Sequence, residues 1–403
     1  MPGNSDVPAI RFAGFTDPWE QRKLGEFTQK RTTKNADRAI SETFTNSAEH
    51  GVISQLDFFD HGITNDASIE GYYLVQPDSF VYNPRISTTA PCGPINRNCL
   101  GRTGVISPLY TVFEVDETVD KSYLAHYFKT SLWHSFMFLE GNSGARSDRF
   151  SIADSTFFEM PISCPSLNEQ RGLSTFLSQL DDLITLHQRK HDKLTTFKKS
   201  MLDKMFPKDG TDVPKIRFAG FTDPWEQRKL GEFGSVAMCK RIYKDQTSES
   251  GDVPFFKIGT FGRNPDAFIS TKLYEQYSNE YPYPNLGTLL LSAAGSIGRI
   301  VEYRGERSYY QDSNIVWLDH DNNLNDRFLK PLYTQMRWGL EESTIKRLYN
   351  KDILGAEAFI PAIAEQRKIG AFFQQLDNLI TLHQRELNSL KKIKQSCLDK
   401  MFV

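Results

Sequence analysis

The feature that most constrains this 403-residue sequence is that it contains the same segments twice. Residues 6–27 read DVPAIRFAGFTDPWEQRKLGEF and residues 212–233 read DVPKIRFAGFTDPWEQRKLGEF, differing only at Ala9 against Lys215. Further along, LDDLITLHQR at 180–189 returns as LDNLITLHQR at 376–385. Glu169-Gln170-Arg171 is echoed by Glu365-Gln366-Arg367, and LDKMF at 202–206 by LDKMF at 398–402. Between these shared segments, 28–160 and 234–358 show no comparable identity. Internal repeats set architecture before local propensity does. A plain tandem duplication drifts at a similar rate everywhere. Near-identity beside divergence predicts instead that the shared segments do one job twice, while two modules do different things.

The second shared segment has the three-and-four spacing of a helix. Leu173, Phe176, Leu177, Leu180, Leu183, Ile184, His187, Leu194, Phe197, Met201 and Met205 form one stripe; Ile369, Phe372, Phe373, Leu376, Leu379, Ile380, His383, Leu387, Leu390, Cys397 and Met401 form the other. Each run starts soon after a proline (Pro165, Pro361), and Pro207 stops the first. Some 38 residues sustain the pattern, about 57 Å of helix. Two such narrow stripes can bury each other in a two-stranded coiled coil. A helix packed on its own module is the alternative, and its length argues against it. Helix one ends just before the second copy of the opening segment, so a pseudo-twofold arrangement predicts antiparallel helices, a globule at each end, neighbouring termini and His187 opposite His383. In the modules, Val105–Phe113 and Asn314–Leu318 suggest strands, and 121–138 and 326–338 suggest helices.

Composition excludes several classes. Hydrophobic content of 39% and 24% charged residues are globular values, which argues against disorder. Five cysteines without a CxxC pair suit reduced thiols rather than a disulfide framework. With no apolar signal core at the start and no long apolar run, the expectation is a soluble cytoplasmic chain away from membranes. There is no GxxxxGK[ST] phosphate loop, no Asp/Asn-Pro-Pro-aromatic methyltransferase tetrapeptide and no GxSxG elbow. His187 and His191 are four apart on a helix, as zinc ligands can be, but His191 has no counterpart in the second helix. The sequence nominates no catalytic residue and no metal site. Residues 28–160 carry 11 basic and 16 acidic side chains, net −5, and 234–358 carry 15 against 16, net −1. A nucleic-acid ligand would therefore require positive groups gathered on one face of each module.

The FTDPWEQRKLGE openings, the proline-then-EQR helix starts, the LITLHQR helices and the LDKMF ends together resemble the DNA specificity subunits of type I restriction-modification enzymes. Tyr82-Asn83-Pro84, the stretch from Gly104 to Tyr110, and Gln311-Asp312-Ser313-Asn314 also look familial. The resemblance spans essentially the whole chain. It implies two mixed α/β target-recognition domains per chain (1–165 and 207–361), joined by two long helices (166–206 and 362–403) in an antiparallel coiled coil with pseudo-twofold symmetry. It implies a non-catalytic subunit whose domains each read half of a bipartite, asymmetric target in double-stranded DNA, with the coiled coil fixing the spacer. Two copies of a modification (methyltransferase) subunit would dock on the repeats, on a seam including Leu180, Leu183, Ile184, His187, Leu376, Leu379, Ile380 and His383. Restriction (translocase-nuclease) subunits would join that core. No cofactor is expected in this chain; S-adenosylmethionine, ATP and Mg would belong to the partners.

The same resemblance places the loop 141–149 near DNA, with Arg146, Ser147 and Arg149 as candidate contacts, and matches it to 343–347 of module two, with Lys346 and Arg347. Arg299, after Gly298 in a glycine-rich turn, is a further candidate. Phosphate contact or guanine-edge reading is the functional role open to these groups, and an ordinary surface or ion-pair role is the alternative for each arginine. A scaffold displaying two protein-binding modules is the rival to DNA recognition.

Overall fold

The apolar spacing emerges as two helices, Leu167–Lys204 and Ile363–Lys400, each of 38 residues. The structure, a computed structural model, describes residues 7–59, 66–142, 148–208, 210–295, 297–336, 338 and 347–403. The chain divides into two units, Met1–His187 with Glu386–Val403, and Gln188–Arg385. Each unit therefore holds part of both long helices. Among the described residues no helix is long and apolar enough to cross a membrane.

In the first unit a four-stranded antiparallel sheet has the order Thr28–Arg31, Thr111–Val115, Phe80–Tyr82, Ile95–Arg97. Strand Glu20–Lys23, from the shared opening, pairs antiparallel with Pro161–Cys164, which leads into the first long helix. The core joins Trp19, Phe113, Tyr123 and Phe157 to Leu173, Leu177 and Leu180 of that helix and to Leu398, Met401 and Phe402 at the end of the second. The two helices run antiparallel here, since Asp181 pairs with Lys394 and His187 with Glu386, one number rising as the other falls.

The second unit repeats this frame with different residues. Its four-stranded sheet has the order Gly234–Ala237, Ile315–His320, Leu289–Ser292, Ile300–Glu302, again antiparallel throughout. Glu226–Lys229 pairs with Glu357–Ile360, ahead of the second long helix. Trp225, Phe328, Phe373 and Leu376 share a core with Met205 and Phe206. Lys198 pairs with Asp377 and Phe206 meets Phe373, one number rising as the other falls, so the helices are antiparallel within this unit as well.

Three contacts explain why the openings and the Glu-Gln pairs at the long-helix starts recur almost unchanged. Arg11 makes a bidentate pair with Glu169 (2.7 and 2.8 Å), and Arg217 makes the same pair with Glu365 at the same distances. Both glutamates are fully buried at the first turn of a long helix. The Ile10 N–H donates to the Lys400 carbonyl and the Ile216 N–H to the Lys204 carbonyl, both at 2.9 Å, satisfying helix-end groups that lack an intrahelical partner. Gln170 and Gln366 accept from the backbone N–H of Asp120 (2.8 Å) and Asn325 (3.0 Å), the caps of the helices Lys121–Tyr127 and Asp326–Gln335. Glu-Gln is thus a bracket tying opening, module and long helix together.

Some local expectations are corrected. The strand expected over 105–113 is two strands in different sheets, Gly104–Ile106 and Thr111–Val115. Pro108 has no N–H for a ladder, and the Tyr110 N–H closes a turn on the Ser107 carbonyl at 3.0 Å. The helix expected over 121–138 is divided into Lys121–Tyr127 and His134–Glu140. Thr130 Oγ1 donates to the Tyr127 carbonyl (2.7 Å) and accepts from Leu132 N–H (3.3 Å), replacing helical bonds with side-chain ones. The helix expected over 326–338 ends at Gln335. The apolar seam is also narrower than the spacing predicts. Leu180 and Leu376 are buried, Ile184, His187, Ile380 and His383 are half-buried, and Leu183 and Leu379 are each 43% exposed.

Two stability outcomes follow from this packing. Arg217→Ala strands a buried carboxylate and should cost about 3–5 kcal/mol, read as a shifted urea midpoint. The double replacement Arg217→Met with Glu365→Leu should cost far less, because no charge is left unpaired. His126, buried against the long helix, is held down to about 4 from its ordinary 6.5, first by burial and then by Lys394, with Arg97 and Lys129 adding to this and Asp181 opposing it. Between those values the unfolded chain binds the proton and the folded one does not, so stability should fall on acidification from about 6.5 to about 4. His126→Gln should flatten that part of the pH–stability curve.

Candidate nucleic-acid interface

Strand register brings a defined set of loops to one end of each central sheet. In module one, Tyr82 pairs with Thr111 and with Ile95, so the loops 83–94 and 107–110 leave from the same edge. Asn83 anchors the first: its N–H donates to the Pro94 carbonyl (3.0 Å), its amide donates to Asn46 O (2.8 Å), and its Oδ1 accepts from Arg85 N–H (3.0 Å). Gly93 closes the loop at φ +81°, where a Cβ would lie 2.0 Å from the Asn83 carbonyl oxygen. Only glycine fits there. Residues 148–150 then pair back onto this loop through a bridge between Arg85 and Arg149.

Module two carries the corresponding loops on the corresponding strands. Ser292 pairs with Ile315 and Leu291 with Ile300, bringing residues 293–295 and 297–299 beside 311–314. A bridge joins Ala294 to Arg347, matching the one between Arg85 and Arg149 in module one. The Arg347 guanidinium lies over the exposed Tyr349 ring at 5.8 Å, with Lys351 Nζ 5.9 Å from the same ring. This interleaving of cation and aromatic is the side-chain chemistry that stacks on bases and meets phosphates.

The sequence candidates fare differently. Arg149 and Arg347 lie at equivalent points in the two loop clusters. Arg299 belongs to the module-two cluster, but its guanidinium donates to the Phe261 carbonyl at 2.7 Å and so braces the neighbouring loop. Arg146, Ser147 and Lys346 lie outside the described residues. Of the seam residues, His187 Nδ1 sits 2.8 Å from a Glu386 carboxylate oxygen. Sequence reasoning missed Arg85 and Tyr349. Arg85 directly follows the Tyr82-Asn83-Pro84 motif, and Tyr349 stands between Arg347 and Lys351, so both had a local signal. A cavity of about 740 Å³ in the second unit lies away from these loops, lined by Arg304, Arg327, Lys330 and Arg385 with Glu302 and Asp326.

The family described as type I restriction modification DNA specificity domain matches residues 16–196 and 222–392. A Haemophilus influenzae protein, provisionally named a type I restriction enzyme specificity subunit, is 36% identical over 270 residues, covering 66% of this chain and 67% of that protein. A type I restriction enzyme specificity subunit of Methanocaldococcus jannaschii is 24% identical over 323 residues, 74% of each chain. The crystal structure of a type I restriction-modification S subunit from M. genitalium shares the fold, with a TM-score of 0.64 at 15% identity, covering 98% of this chain and 99% of that one. Two family matches on the two halves, and relatives that are themselves specificity subunits, assign the chain to the type I restriction-modification DNA specificity family, a non-catalytic subunit class.

Proposed function

We propose that this chain recognises double-stranded DNA for a type I restriction-modification complex, each module reading one half of a bipartite, asymmetric target. The observation that carries this is the pairing of one repeated frame with two unlike loop clusters at the same sheet end. A constant frame suits two readers that approach DNA in the same way, and different loops suit two different half-sites. Two readers held at a set separation demand half-sites at a set separation and helical phase. In this reading the antiparallel long helices set the spacer.

The repeats also suit one partner bound twice. Leu183 and Leu186 are 43% and 45% exposed, and their counterparts Leu379 and Leu382 are 43% and 48% exposed. An exposed leucine pair three residues apart, repeated at equivalent positions, is the kind of apolar surface that marks a docking site. Its occupants would be two copies of a modification subunit, with restriction subunits joining afterwards. Chemistry requiring S-adenosylmethionine, ATP or Mg would reside in those partners.

Replacing residues 28–160 with the corresponding module of another family member should change one half of the methylated sequence and leave the other intact. Mapping of methylated sites in cells reads this directly, and a change in both halves would sink independent reading. Adding one heptad to each long helix, about 10.5 Å, should lengthen the preferred spacer by about three base pairs at ~3.4 Å each. An unchanged spacer would remove the ruler.

A further inference from the structure

We propose that Arg85 and Arg149 form a two-guanidinium clamp for a DNA phosphodiester on the solvent face of module one, an assignment that rests on the DNA-recognition reading. Two backbone bonds bracket the pair: Ile86 N–H to the Asp148 carbonyl at 2.9 Å, and Phe150 N–H to the Pro84 carbonyl at 2.7 Å. In an antiparallel ladder this places 85 opposite 149 at a non-hydrogen-bonded position, where facing Cβ atoms are closest, about 4.5–5.5 Å. Side chains alternate across the ribbon. Phe150 is buried in the core and Ile86 packs against it, so the two arginines share the opposite, outward face.

Like charges placed directly opposite each other destabilise a ribbon unless something lies between them. The other described arginines of the module are neutralised internally: Arg31 by Glu114, Arg38 by Glu70, Arg97 by Asp78 and Arg102 by Glu42. Among the described residues Arg85 and Arg149 have no such carboxylate. In a module of net charge −5, the two described arginines without a carboxylate are thus held as a preformed pair at the loop end of the sheet. Two planar forks facing one side match the geminal oxygens of a phosphodiester. Module two has Arg347 at the place of Arg149, but Ala294 at the place of Arg85. The clamp therefore belongs to one half-site only.

The test uses the full chain assembled with its modification subunit, and duplexes carrying the sequence found methylated in cells. Arg85→Gln and Arg149→Gln should each weaken binding several-fold and lower the slope of log K against log salt by about one, with base preference unchanged. If the natural protein binds specifically and both variants keep its affinity and slope, the clamp is wrong while the recognition reading stands. If base preference shifts at one position with the slope unchanged, the pair reads a base edge and the phosphate assignment falls. If the natural protein shows no sequence-specific binding, the recognition reading itself fails. Melting of the variant chains guards against misfolding. Removing one of two like charges should leave the melting temperature equal or higher, and a lower one would mark a structural role and overturn the clamp.

Discussion

The frame shared by the two units depends on a glutamate buried at the first turn of a long helix and the arginine that neutralises it. A carboxylate at 1% exposure or less is tolerable only with its charge and lone pairs met. Arg11 and Arg217 meet that demand, each from a segment whose next anchors are a backbone bond to the end of the other long helix and a strand paired with its own module's exit. The opening segment is therefore a clasp. Its near-identity in both halves has a structural cause that precedes any docking role, because the same clasp must close twice.

Aromatic packing reinforces the clasp. Phe402 stacks on Tyr123 and meets Trp19 edge-on, while Phe206 stacks on Phe328 and meets Trp225 edge-on. Burial of each phenylalanine contributes about 1.5–3 kcal/mol. The LDKMF ends thus serve as core residues. The tryptophan of the opening, the phenylalanine closing a long helix and the aromatic on the module's capped helix form one cluster in each unit.

Freedom to diverge lies where these anchors do not reach. The central sheets keep their strand order although their residues differ, because backbone bonds carry the ladder and alternating apolar side chains need only fill the space. The loops at one sheet end bear no such constraint. There module one holds two facing arginines, and module two holds Arg347 beside Tyr349.

Much of this was legible in the residues. The duplicated segments, both long helices and the separation of constant frame from variable module are properties of sequence order and of 3.6-residue periodicity, which act locally. The family resemblance was carried by those same segments. What stayed hidden were contacts between residues far apart in the chain. Periodicity placed Leu183 and Leu379 on the seam, yet which flank of a helix is covered depends on what packs there. Arg85 joins Arg149 only because the segment 148–150 is laid against 84–86 in one register. A shift of the Arg149 strand by one residue would have turned that side chain toward the core. Residue order alone dictates the two long helices and the recurrence of the frame around them; which side chains face one another is a matter for the folded chain, because register between distant segments is settled only when the whole core closes.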